Sequence, residues 1–509
     1  MKKTNTIYYI YTPLLIIILM IISYETGFMN NFNKTAVSMI ICFIIVIGYT
    51  LFKFSRKELT LELALTLIMI AGIIIRIGYA IYTPIHVRSH DGGEFLINGS
   101  YKHLNYIYWI YKNHSLPNTN KMQFYHPPFF HSLCALTLWI YNFFKGGKNI
   151  EDIQEICKII PCISSCFTLF FMKKILDTLK IPLKYQLFIF PIVAFLPNYY
   201  FLAGRLNNDG LAFMFMIMAL YYTLRWNNNK TLSDLVFLAI SIGLGMNTKL
   251  SVVSITLPIG GLMIYVLFKD FKEKKGLKTI KKYLIFITIC APLSLWYAIR
   301  NLVKFNQPFN YVLNTNTPKD DIYCGNYSIF YRFFFLDFKK LLKSPFNNPY
   351  TDANIPAYLI KGAVFGEFDF DNMEKMGCIL IIMNFLLVII SIILLIYTLL
   401  KGRMLNPMQR FGPAIIWCSS IIAYYIFNYN YPYGCTMDFR YILQTAFCGA
   451  YYIGIGLYIL TENHKTNNSI IGKLDTNTLI LDIKQLVAIV LCTFCIFSII
   501  FFITFGFFQ

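Results

Sequence analysis

Apolar runs long enough to cross a bilayer recur along this chain from residue 7 to residue 508, most of them parted by only a few polar residues. A helix needs about 18–20 apolar residues to cross the hydrocarbon core, and no soluble core of this size needs so many. The runs fall at about 7–23, 36–52, 60–82, 127–144, 159–172, 185–203, 210–226, 234–247, 250–268, 283–300, 377–400, 411–428, 439–460 and 483–508. Only 14% of the 509 residues are charged, and the mean hydropathy is +0.55. This pattern predicts an all-α polytopic membrane protein.

The net charge of +20 would suggest nucleic acid in a soluble chain. Here the lysines cluster in short loops between apolar runs, so they read as positive-inside orientation signals, and no nucleic-acid partner is expected. The loop 269–282 carries seven lysines and belongs in the cytoplasm. The first run follows Lys2 and Lys3 and lacks a small-residue cleavage site, so it reads as a retained anchor with a cytoplasmic N-terminus. The basic loop 53–58 is then inner, and residue 84 emerges outside. Counts taken from the two ends agree only if 127–144 begins and ends on the outer side, as a re-entrant or interfacial helix. About thirteen spans plus this partial helix are expected.

Two outer segments stand out, 84–131 and 301–375. The first holds six of the seven histidines (His86, His90, His103, His114, His126 and His131) together with Asp91 and Glu94. The second is long, aromatic and Asn-rich, which marks a functional loop more often than a linker. Charges at membrane depth cost several kcal/mol unless paired or wetted. Arg88, Asp91, Glu94, His126, Arg205, Asp209, Lys249, Arg300, Asp438 and Arg440 all fall on the outer side near span ends. Arg205, Arg300 and Lys249 read either as interfacial anchors or as site residues, and Asp209 as a helix cap, a site residue, or both. The histidines suggest a divalent metal, yet no HExxH spacing occurs, so a metal stays an open alternative. The 13 cysteines form no metal pattern, and a bridge between Cys324 and Cys435 is possible.

Six pieces in order resemble the GT-C superfamily of membrane glycosyltransferases, nearest the branch of protein O-mannosyltransferases and the lipid A aminoarabinose transferase. They are Ser89-His-Asp91-Gly, Tyr125-His-Pro-Pro-Phe, Arg205-Leu-Asn-Asn-Asp209, Asn247-Thr-Lys249, Trp296-Tyr-Ala-Ile-Arg-Asn301 and Asp438-Phe-Arg-Tyr441. Two departures are plain: Gly92 follows Asp91 where the mannosyltransferases have Glu, and loop 301–375 holds no MIR-type domain. The resemblance implies a GT-C-like transmembrane catalytic domain over 1–460, with 461–509 an inner loop and last helix. It also implies an inverting transfer of sugar from a polyprenyl-phosphate donor to an acceptor hydroxyl at the extracytoplasmic face.

Such a reaction needs a base for the acceptor and cations for the departing phosphate. The resemblance places the base at Asp91, with Glu94 in reserve. His126, Lys249 and Arg440 become the phosphate partners, and Asp209, Asn208 and His90 organise the acceptor or a metal. A polyprenol-linked oligosaccharide ligase or polymerase is the nearest competing reading. A transporter is a further one, although the chain shows no internal repeat of the transporter kind. The Asn-, Lys- and Ile-heavy composition suggests an AT-rich bacterial genome, hence a plasma-membrane protein among membrane lipids.

Overall fold

A computed structural model describes residues 2–88, 92, 101–147, 149–309, 311–312, 322–370, 372–467 and 475–505. The described chain is helical throughout, apart from one isolated bridge between Tyr323 and Tyr433. Eight helices are long and apolar enough to cross a membrane: Phe32–Ser55, Leu61–Tyr82, Glu151–Thr178, Leu250–Lys272, Gly276–Phe305, Glu374–Lys401, Pro407–Asn430 and Leu479–Thr504. A ninth forms if Gly434–Ile442 and Gln444–His464, bent by 49°, count as one span.

The protein is therefore an all-helical multi-pass membrane protein with eight or nine candidate spans among the described residues, not about thirteen. The shortfall has local causes. The run 185–203 breaks into Leu183–Gln186, Phe190–Phe195 and Pro197–Phe201. Pro191 opens the second piece and Pro197 the third, and Leu196 between them is extended at ψ 118°. Proline lacks the N–H that would continue a helix and drives the residue before it out of the helical region. The helix Leu232–Met246 has only 15 residues. Asp209–Asn229 has 21, but Asp209, its paired tyrosines and Arg225 make it too polar to qualify. Phe129–Lys145, at 17 residues, is shorter than a span; it buries His131, Cys134 and Leu138 and leaves Phe143 and Phe144 exposed.

Packing divides the chain into two compact units, one of Met1–Met39, Ile73–Ile175 and Tyr200–Thr315, the other of Ile40–Gly72, Leu176–Tyr199 and Asn316–Gln509. The first unit has a core of Met20, Leu104, Tyr106, Phe130, Leu138 and Ile156. Wholly buried Lys158 is held there by Glu155 at 2.6 Å, the Thr83 carbonyl at 2.7 Å and Asn30 at 3.2 Å. Two hydrogen bonds and an ion pair thus compensate the buried ammonium. In the second unit Phe346, Phe365, Phe370, Phe501 and Phe505 pack edge-to-face or tilted against one another. There too the Ser498 hydroxyl, in the last helix, donates to the carbonyl of Phe195 at the break in 185–203. No disulfide joins Cys324 to Cys435.

Candidate active site

The histidine-rich stretch folds as the helix His103–Asn113, a single turn Met122–Tyr125, and a Pro127-Pro128 corner that starts Phe129–Lys145. Three of its histidines are buried against each other. His103 Nδ1 and His131 Nε2 are 2.8 Å apart, and the His126 ring lies parallel to His103 at 5.9 Å. Tyr106 stacks on His131 at 4.1 Å. The Tyr297 hydroxyl donates to the Phe124 carbonyl at 2.8 Å, which leaves Tyr106 to donate to Tyr297 at 2.9 Å. Arg300 holds the Pro117 carbonyl at 2.6 Å. The helix Gly276–Phe305 thus fixes the stretch from one side. His86 and His114 are exposed, His114 in the left-handed region at φ 52°, a geometry suited to ending a helix.

The other half of the site is two loops that run side by side. Asn207, Asn208 and Asp209 lead into Asp209–Asn229, and Asn247, Thr248 and Lys249 leave Leu232–Met246. Lys249 makes an ion pair with Asp209, and Asn208 donates to the Thr248 carbonyl at 3.0 Å. Asn207 Oδ1 accepts the Asp209 N–H at 3.1 Å, so Asn207 satisfies the helix start while the Asp209 carboxylate holds the lysine. The Phe129 N–H reaches the Asn247 carbonyl at 3.1 Å, which joins these loops to the Pro-Pro corner.

His126 lies within electrostatic reach of the pair. Burial, then the Lys249 charge and the neighbouring histidines, hold its pKa well below the usual imidazole range, against a smaller opposing pull from Asp209. The ring is a neutral hydrogen-bonding group beside a partly compensated ammonium. Lys249 and Asp209 side chains are 13% and 7% exposed, so their interaction escapes most solvent screening.

The structure therefore gathers His126, Asn208, Asp209 and Lys249 within the first unit. Asp91, Glu94 and His90 lie outside the described residues. Gly92, between them, is buried and accepts the Leu104 N–H at 3.0 Å at the start of His103–Asn113. Arg440 belongs to the second unit, where it pairs with Asp438 at 3.3 Å and Glu367 at 3.6 Å. Among the described residues, no group of three His, Cys, Asp or Glu is placed to hold a metal ion. Sequence reasoning missed the Tyr106–Tyr297 bond and the buried amides of Asn207 and Asn247. Of these, the Asn-Asn pair before Asp209 was the visible signal.

The fold and this cluster define a polytopic membrane protein with a buried, cation-bearing polar site. Residues 157–296, which contain both Asp209 and Lys249, match the model of the dolichyl-phosphate-mannose-protein mannosyltransferase family, a GT-C family of membrane glycosyltransferases. The match takes in little more than a quarter of the chain and is what this part of it is similar to. No curated protein shows significant similarity to the chain.

Proposed function

We propose that the protein is an inverting glycosyltransferase that moves a sugar from a polyprenyl-phosphate donor to an acceptor hydroxyl at the extracytoplasmic face of the plasma membrane. The observation that carries this reading is the buried Lys249–Asp209 pair of the first unit, with His126 within its electrostatic reach. Orientation supports it. Leu250–Lys272 and Gly276–Phe305 are consecutive candidate spans joined through the lysine-rich loop. With that loop in the cytoplasm, Lys249 and Arg300 stand at the opposite face.

In the proposed reaction Asp91, or failing it Glu94, takes the proton of the acceptor hydroxyl. The oxygen attacks the anomeric carbon, the bond from that carbon to the phosphate oxygen breaks, and the single displacement inverts the centre. Negative charge grows on the departing polyprenyl phosphate. In this reading the Lys249 ammonium and a His126 N–H receive it, and both act more strongly in a partly dry site than in water. Asp209 positions the ammonium, and Asn208 fastens the loop that carries it. Arg440, the further candidate phosphate partner, lies in the second unit, where it pairs with Asp438 and Glu367. The acceptor and the sugar are the open terms of the reaction.

The test is transfer in proteoliposomes. Polyprenyl-phosphate mannose, glucose and galactose are supplied with a membrane-lipid extract and no ion gradient, and products are read by mass spectrometry. A glycosylated product with inverted anomeric configuration is expected. Movement of donor across the bilayer with no covalent product would overturn the reading in favour of transport.

A further inference from the structure

Two buried amide groups next to the Lys249–Asp209 pair have unmatched atoms. Asn207 is 2% exposed; its Oδ1 is engaged by the Asp209 N–H, which fixes the amide's orientation, and its Nδ2 has no hydrogen-bond partner among the described residues. Asn247 is 8% exposed; its backbone N–H goes to Gly243 and its carbonyl to Phe129, while its side-chain Oδ1 has no partner. Most buried polar groups in folded proteins are matched, and an unmatched one calls for a specific reason.

The two loops run in register, Asp209 against Lys249 and Asn208 against Thr248. The next residues back along each loop are Asn207 and Asn247. One offers a donor and the other an acceptor, and each stands two residues before a member of the ion pair assigned to the phosphate site. A phosphate cannot satisfy both, since its oxygens only accept and would face the Asn247 oxygen unfavourably. A hydroxyl both accepts and donates. The sugar ring attached to that phosphate carries hydroxyls next to it.

We propose that Asn207 and Asn247 read hydroxyl groups of the donor sugar and so set which sugar is transferred, without taking part in bond making. This rests on the donor assignment under Proposed function. A site built to bond a hydroxyl rejects an analogue lacking it, because the buried protein group is then stranded.

The experiment uses the full chain in proteoliposomes with the fastest of polyprenyl-phosphate mannose, glucose and galactose, and each monodeoxy form of that sugar. With wild type, at least one deoxy donor should lose about 5- to 150-fold in kcat/KM, the range set by stranding one buried neutral group. In Asn207→Ala or Asn247→Ala the same deoxy donor should fall to within about threefold of its parent, since the stranded group is gone. Asn207→Asp keeps the oxygen that holds the Asp209 N–H and exchanges the donor for an acceptor. It should slow the parent sugar at least as much as Asn207→Ala while the loop stays intact. Equal losses for every donor in these variants would overturn the inference and assign the two amides to a trapped water or to loop packing. No transfer from any of the three parent donors by wild type would sink the donor assignment, and this inference with it.

Discussion

Lys249 and Asp209, forty residues apart, form an ion pair almost wholly withdrawn from water, at the junction of two loops that also share the Asn208–Thr248 bond. Removing one partner of such a pair strands a buried charge and costs about 3–5 kcal/mol, whereas removing both costs much less. Asp209→Asn and Lys249→Met should each lower the melting temperature of the detergent-solubilised protein. The double variant should recover most of that stability and still transfer no sugar. Double-mutant thermal melts alongside activity separate the two roles.

Asp91 is expected to be the general base. Asp91→Asn keeps the shape and loses the proton acceptor, so the chemical step should fall by about 10²–10⁴-fold with donor binding retained. Glu94→Gln should cost much less. Single-turnover rates with donor in excess decide the matter, and a dead Glu94→Gln beside a normal Asp91→Asn would move the base by three residues.

His126 makes a pH prediction. Its folded pKa lies well below the unfolded value of about 6.5, with burial the first cause and Lys249 the second. The unfolded chain therefore takes up a proton that the folded protein refuses. Stability from this group is full above about pH 6.5 and declines as pH falls below it toward the folded pKa. Melting temperatures at pH 7.5 and 5.5 should differ less in His126→Gln than in wild type. A gap unchanged by the substitution would show that His126 carries none of the acid sensitivity.

Orientation can be read by thiol labelling. Residues 113 and 275 are both exposed, the first at the end of His103–Asn113 and the second within the lysine-rich loop. A cysteine at 113 should react with an impermeant reagent in intact cells. One at 275 should react only after permeabilisation. The opposite pattern would place the site in the cytoplasm.

What was readable in advance followed from chemistry that sequence displays directly. His126, Asp209 and Lys249 were visible because charged and imidazole groups are scarce beside apolar runs and costly there. Their pairing was not visible: Lys249 could have been an anchor and Asp209 a cap, and only packing gives the cap to Asn207 and the lysine to Asp209. The link from Tyr106 to Tyr297 joins residues 191 apart and leaves no periodic trace. The approach of Glu367 to Arg440 joins two loops far apart in sequence and was equally invisible. Of the expected spans, 185–203 is not shown as one because hydropathy reads straight through Pro191 and Pro197, blind to a missing N–H.

That break in 185–203 has a consequence for how the chain is made. The Phe195 carbonyl finds its hydrogen-bond donor in Ser498, 303 residues further on. At ribosomal speeds of about 5–20 residues per second, roughly 15 to 60 seconds separate the emergence of the two. An unmatched carbonyl facing lipid is costly, so throughout that interval the segment needs water, the insertion machinery or a chaperone at its side. The helix Asp475–Thr504 acts as the closing clasp of a segment made some 300 residues earlier. A chain that stops short of residue 498 is therefore expected to be recognised as unfinished and degraded, even with every residue of the first unit already in place.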